Sequence, residues 1–292
     1  MNDALAEAVG ARLGERVASA QRVAGGSIND AWRLALASGA DVFVKSRADA
    51  RPAEFQAEAA GLRWLAAVAG GCPVPEVLAV GESPAWLVLE WIEPGALAGD
   101  GAEAMGRGLA AIHRSGARSF GALPPDSPDE ILRIGSVEIP LAESEVWSQT
   151  YAEQLLLPLV ERTVRAGTLA PADAQAVERV CLRIDDLAGP KEAPSCLHGD
   201  LWGGNVMGAK DGRAWLIDPA AYGGHREVDL AMLRLFGSPG ERVFNAYDEA
   251  FPLATGHEER VALYQLLPLL IHALLFGGSY GASAGDAARR YA

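Results

Sequence analysis

The sequence predicts an α+β protein of two lobes: a small antiparallel-sheet lobe with one helix between its strands, then a larger, mainly helical lobe. Three observations predict it. Short β-rich runs crowd the first 92 of the 292 residues. Glu93-Pro94-Gly95 then breaks the pattern. Beyond it, apolar residues recur at helical spacing, interrupted by one Asp-Gly hairpin signal. The lobes are therefore expected as residues 1–92 and 93–292, with residues 93–95 as the hinge. A chain of this length is long for a single core and natural for two lobes.

Residues 3–18 read as an amphipathic helix. Residues 21–24 and 28–37 read as strands joined by the turn Gly25-Gly26-Ser27. Residues 41–46 (DVFVKS) alternate and are β-rich, which predicts a third strand. Residues 51–68 carry Phe55, Ala59, Leu62 and Leu65 on one face, with Pro52 in the first turn, so they predict a helix. Residues 77–80 and 86–92 are two further strands. After the hinge, helices are expected over 102–114, 145–166 (bent before Pro158) and 172–187. Residues 124–140 read as irregular. Two short strands, 206–209 and 214–217, flank Asp211-Gly212, and everything from Asp229 onward reads as helical.

The formal net charge is −13. That argues against nucleic-acid binding, where a basic stripe is expected. It leaves room for an anionic nucleotide, which needs only a local patch of cation, metal and backbone N–H groups. Cys72, Cys181 and Cys196 are few, odd in number and far apart, and read as free thiols. The N-terminus has no continuous apolar core, and the apolar run 266–276 is too short for a membrane span, so it reads as a buried helix. A cytoplasmic location is expected.

The strongest chemical signal is His198-Gly199-Asp200-Leu201-Trp202-Gly203-Gly204-Asn205, followed across a hairpin by Ile217-Asp218-Pro219. Phosphoryl transfer needs a carboxylate to orient an acceptor hydroxyl and take its proton. It also needs oxygen ligands for the Mg²⁺ that neutralises the triphosphate. Asp200 fits the base, and Asn205 and Asp218 fit the metal ligands. The Asp-x4-Asn spacing repeats the catalytic-loop spacing of protein kinases, so the expected fold is protein-kinase-like. His198 reads as a brace for the loop.

Lys45, on a strand after the glycine turn, is costly facing inward unless it meets charge, and ATP phosphates supply it. Glu58 on the next helix is its expected partner, with Glu54 one turn earlier as the competitor. Gly25, Gly26 and Ser27 are expected to cover the phosphates, and Glu90 and Ile92 to offer backbone groups to the adenine edge. Asp229 reads as an N-cap.

These residues resemble the fructosamine kinase (ketosamine-3-kinase) family, within the aminoglycoside-phosphotransferase-like branch of the protein-kinase fold. The resemblance lies in HGDLWGGN, IDPAAYGGHREVDLAM, GGSIND, FVK and FQAEAAGLRWL, and again in HALLFGGSY near the C-terminus. It implies ATP and Mg²⁺ as cofactors and a small glycated amine as acceptor. It implies the same roles for Asp200, Asn205, Asp218, Lys45 and Glu58, and a loop-anchoring role for Asp229. Trp202, Tyr222, His225 and Arg226 lie near the site and are candidate acceptor contacts. Residues 128–147 depart from the family pattern, keeping only Ile134-Gly135-Ser136 and Trp147. Two other readings stay open: a kinase for an aminoglycoside or amino alcohol, and an inactive nucleotide-binding scaffold.

Overall fold

The computed structural model of the chain describes residues 3–23, 29–237 and 239–291. The turn Gly25-Gly26-Ser27 lies outside the described residues. Helix α1 (Asp3–Leu13) leads into strands β1 (Val17–Arg22), β2 (Asp30–Leu36) and β3 (Asp41–Ser46). Helix α2 (Pro52–Ala66) follows, then β4 (Val77–Glu82) and β5 (Ala85–Glu90). The strands form one antiparallel sheet in the order β1-β2-β3-β5-β4.

The pleat sorts the side chains of this sheet. Val42, Val44, Trp86 and Val88 face α1 and pack with its Leu5 and Val9. Leu87 and Leu89 face the other way, in a core with Phe55, Ala59, Leu62 and Leu65 of α2, against which Phe43 also packs. Lys45 shares the pleat of Phe43, so it is turned toward α2. The α2 core continues into the second lobe through Met105, Leu109 and Ile112 of α3 (Gly101–Ser115) and Leu201, Leu216 and Leu233.

The second lobe continues with hairpin β6 (Ile131–Ile134) and β7 (Val137–Pro140). A helical run follows, α4 (Trp147–Gln149), a π-helical stretch Thr150–Leu156 and α5 (Leu157–Arg165), and then α6 (Pro171–Leu182) and α7 (Ile184–Leu187). Strand β8 (Ser195–Leu197) leads into the HGD loop and a 3₁₀ turn at Gly203–Asn205. Strands β9 (Val206–Gly208) and β10 (Ala214–Leu216) form the hairpin signalled by Asp211-Gly212. Strand β11 (Tyr222–Gly224) pairs back onto β8, and helices α8 (Glu227–Leu235), α9 (Glu241–Ala250), α10 (His257–Tyr264), α11 (Leu266–Phe276) and α12 (Tyr280–Arg289) close the lobe.

Five expectations change. The first helix stops at Leu13, because Gly14 adopts φ 71°, a left-handed stop that glycine takes without penalty. Val17 then pairs with Leu36, so β1 begins well before residue 21; as an edge strand exposed at five of its six positions, β1 has no apolar alternation to reveal it. Residues 131–140 are a hairpin turning at Gly135-Ser136, not irregular chain. The expected bend before Pro158 is instead a π-helical stretch, in which the Leu157 N–H reaches back five residues to Ala152. Finally, 172–187 is two helices broken at Arg183.

Residues after β5 are fastened to the β9–β10 hairpin. Pro94 bridges Ala209, Gly95 N–H donates to Gly208 O at 3.0 Å, and Lys210 N–H donates to Glu93 O at 2.9 Å. The run His257–Phe276 has the length and apolarity of a membrane span, but 61% of its most apolar window is buried inside the fold. Cys72, Cys181 and Cys196 are free and buried.

Candidate active site

Strand β8 delivers the chain to the HGD loop, and one buried carboxylate fixes that loop. Asp229 is not the expected N-cap, which is Arg226; it is the third residue of α8, fully buried, and accepts the N–H of His198 at 2.7 Å and that of Gly199 at 2.9 Å. His113 of α3 holds its Oδ2 at 3.1 Å, and His113 is itself held by Tyr247 at 2.8 Å. Burial would raise the Asp229 pKa, but the His113 hydrogen bond and both nearby histidines keep it below the ordinary carboxylate range. Gly199 adopts φ 81°, and a Cβ there would lie 1.9 Å from Ala220 O, so only glycine fits.

Asp229→Ala would leave two buried loop N–H groups and His113 without their acceptor. We expect it to lower unfolding free energy by about 3–5 kcal/mol, measured by urea denaturation. Stability within about 1 kcal/mol of wild type would show that the anchor is dispensable.

His198 braces the loop from inside. The Asp200 N–H donates to its Nδ1 at 3.3 Å, so Nε2 carries the proton and donates to Ile217 O at 3.0 Å. Burial holds its pKa below the ordinary value, which suits a neutral ring. His198 therefore ties the loop to the strand end that presents Asp218, and the Ile217 N–H returns the tie by donating to Asn205 O at 3.1 Å.

The polar groups converge from four elements. Asn205 Nδ2 donates to the Asp200 backbone O at 2.8 Å and to Asp200 Oδ2 at 3.0 Å. This leaves Asn205 Oδ1 with no donor among the described residues. Lys45, only 6% exposed, bonds Glu58 Oε1 at 2.9 Å and also contacts Asp218 Oδ1. Glu54, the competing partner, is instead taken by Arg47 Nη2 at 2.6 Å. Burial alone would lower the Lys45 pKa, but Asp218 and Glu58 more than offset it, and the ammonium stays charged well above its ordinary range. Burial also pushes Asp200 up to about 7, opposed by the Asn205 hydrogen bond and reinforced by the charges of Asp218 and Asp229.

Asp218 is the one described non-glycine residue at positive φ, 56°. Asp tolerates this region better than most residues, and such strain concentrates where a side chain must be aimed. Among the described residues no cluster of three metal-ligating side chains occurs. Asp218 and Asn205 Oδ1 could hold Mg²⁺ only together with phosphate oxygens, which is the usual magnesium arrangement.

Ile92 is buried against Ala209 and Trp215, which places the segment 90–92 where the sheet meets the β9–β10 hairpin. Glu90 keeps its backbone in β5 opposite Val42. Of the four candidate acceptor contacts, only Trp202 lies at an open surface, 39% exposed. Tyr222, His225 and Arg226 are all buried. The Arg226 guanidinium is engaged by Glu192 through two bonds of 2.7 Å and by the carbonyls of Phe251 and Pro252 at 2.8 Å. Burial pushes His225 down to about 4, and its ring stacks on Tyr264 at 5.1 Å. The Tyr222 hydroxyl and His225 Nε2 are buried without a hydrogen-bond partner among the described residues, so neither reaches the surface.

Sequence reasoning missed an aromatic group beside the loop. The Gly203 N–H donates to Phe236 O at 3.0 Å. Phe236 packs on His272 at 4.4 Å, and His272 on Tyr280 at 5.2 Å and Phe276 at 5.4 Å, with Phe276 57% exposed. His272 Nδ1–H donates to Pro268 O at 2.8 Å, leaving Nε2 as an acceptor. The available signal was HALLFGGSY: Phe276 stands four residues from His272 on α11, and Gly277-Gly278 turns the chain so that Tyr280 opens α12 beside them.

A sheet lobe over a helical lobe, with lysine, glutamate, two aspartates and an asparagine at the junction, is the architecture of protein-kinase-like phosphotransferases. The spectinomycin phosphotransferase solved with ADP and spectinomycin shares the fold, with TM-score 0.61 and 14% identity over 100% of this chain and 93% of that one. The chain belongs to the fructosamine kinase family, whose model matches residues 1–291, and it is a phosphotransferase. The "putative fructosamine-3-kinase" of Thermobifida fusca YX-ER1 superposes with TM-score 0.89, at 41% identity over 99% of both chains. A "probable ketoamine kinase" of Thermus thermophilus is 37% identical over 88% of this chain and 87% of its own length.

Proposed function

We propose that the chain transfers the γ-phosphoryl group of ATP, with Mg²⁺, to a hydroxyl of a ketosamine, a sugar joined through carbon to an amine. The observation that carries this is two adjoining polar groups, Glu58–Lys45–Asp218 and Asn205–Asp200, tied by the bond from the Ile217 N–H to Asn205 O and lying between residues 1–92 and 93–292, in a member of the fructosamine kinase family. Asp200 accepts the proton of the acceptor hydroxyl, at an oxygen held by Asn205. Lys45, oriented by Glu58, holds phosphate oxygens. Asp218 and Asn205 Oδ1 hold the metal, which supplies charge neutralisation on the phosphates. Residues 90–92 take the adenine edge, and Gly25, Gly26 and Ser27 cover the phosphates.

Two features favour a small acceptor over a protein serine. Only residues 219–226 separate Asp218 from α8, and part of that run is fixed in β11, so no long segment exists to dock a peptide. Trp202 and the Phe236–His272–Tyr280 group offer aromatic faces and one free imidazole nitrogen, which suit a sugar and its hydroxyls. A cytoplasmic enzyme with no nucleic-acid or membrane partner fits this chemistry.

The test is ADP release with fructosamines and ribulosamines of free lysine, beside kanamycin and casein. Turnover of a ketosamine with neither of the others is expected. Turnover of kanamycin or casein, with none on any ketosamine, would replace this reading.

A further inference from the structure

Helix α2 presents Glu58 to Lys45, so whatever sets the tilt of α2 sets the lysine. The first turn of α2 is held from both sides by charge. Toward the sheet, Glu54 accepts the backbone N–H of Arg51 at 3.0 Å and the Nη2 of Arg47 at 2.6 Å. Arg47 in turn donates to Asn29 Oδ1 at 2.9 Å. Toward the larger lobe, the Arg51 guanidinium pairs with Glu138 Oε1, 87 residues away.

Glu138 does not float. It stands on β7 directly opposite Arg133 of β6, whose Nε donates to the same oxygen at 3.1 Å. Asp129 clamps Arg133 through two bonds of 2.8 and 2.6 Å, and Arg162 of α5 donates to the Glu138 backbone O at 2.7 Å. The other face of the hairpin, Leu132, Ile134, Val137 and Ile139, is sunk in the helical core with Trp147 and Tyr151. A chain of alternating charge, Arg47–Glu54–Arg51–Glu138–Arg133–Asp129, with the Asn29 amide bonded at its near end, therefore runs through the start of α2 to a rooted hairpin.

We propose that Glu138 is a positioning residue for phosphoryl transfer: with Arg51 it straps the N-terminus of α2 to the larger lobe, holding Glu58 where it orients Lys45. This rests on the nucleotide-handling roles given above to Lys45 and Glu58. The joint is a partly exposed ion pair, with side chains 59% and 32% exposed. Such a pair contributes little to global stability, is screened by salt, and can release when the lobes move.

The experiment compares Arg51→Gln, Glu138→Gln and the double variant by kcat, KM for MgATP and melting temperature, at low and high salt. Each single variant should lower kcat roughly 3- to 10-fold, a loss of about 1 kcal/mol of transition-state stabilisation, with the melting temperature nearly unchanged. The double variant should lose no more than either single, and Arg51→Lys should retain most of the activity. The ratio of wild-type to variant kcat should fall toward one at high salt. In a Glu58→Gln background, Glu138→Gln should have no further effect. Unchanged kcat in the single variants, or losses additive with Glu58→Gln, would overturn the strap. Lys45→Met separates the two ideas. If it leaves turnover intact, the nucleotide reading itself fails; if it abolishes turnover while Glu138→Gln changes nothing, only the strap fails.

Discussion

Asp200→Asn is expected to lower kcat by about 10²–10⁴-fold, the usual loss for a positioned general base, and to leave MgATP affinity within a few-fold of wild type. The substitution keeps the shape of the side chain, and the Asp200 backbone O that Asn205 holds at 2.8 Å is untouched. What is lost is the oxygen that can accept a proton. The pH profile gives a second readout. Burial raises Asp200 to about 7 in the free protein, and a base works only when deprotonated. Wild-type kcat/KM should therefore climb as pH rises toward 7 and level off above it, and the residual rate of Asp200→Asn should lack that limb. Steady-state ADP release from pH 5.5 to 8.5 measures both. A kcat within a few-fold of wild type would remove Asp200 from the role of base.

The second large effect is at Asp218. Its carboxylate contacts the Lys45 ammonium, it follows Ile217, whose N–H donates to Asn205 O, and it is the assigned metal ligand. Asp218→Ala should weaken MgATP binding by at least about 10²-fold, or roughly 2.7 kcal/mol, with Asn205→Ala weaker in the same direction. Alanine at φ 56° adds backbone strain that has nothing to do with metal. Asp218→Asn is the cleaner variant, because Asn tolerates the left-handed region while losing the charge. Titration calorimetry of MgATP, with thermal unfolding as the check on folding, reads both. If Asp218→Asn binds MgATP with unchanged magnesium dependence, Asp218 is not a ligand.

Much of the frame was legible in the chain because its signals are local. The pleat of DVFVKS and the apolar stripe of α2 placed Lys45 and Glu58 on facing elements, and the structure pairs them. The Asp211-Gly212 hairpin explains how Asn205 and Asp218 come to adjoining strand ends, since β9 and β10 must run back alongside one another. The hairpin at 131–140 was legible in principle, from ILRI and VEIP around Gly-Ser, but four-residue strands are too short for alternation to be distinguished from chance. Strands β8 and β11, three residues each, left no pattern at all.

By itself the sequence determined the order of elements around the site, the loop that carries Asp200 and Asn205, and the face of the strand from which Lys45 points. Each of these follows from backbone period, turn chemistry or short spacing, which act within a few residues. The tertiary structure decided the partners. It gave Lys45 to Glu58 and Asp218, the latter 173 residues away, and gave Glu54 to Arg47. It closed Arg226 onto Glu192 and buried it with Tyr222 and His225, leaving Trp202 at the open surface. It also joined Arg51 to Glu138 across the lobes. A charged side chain reaches several ångströms and accepts any opposite charge, so its sequence context does not choose among partners. Burial chooses, because a charge withdrawn from water must be met by the group that packing has placed there.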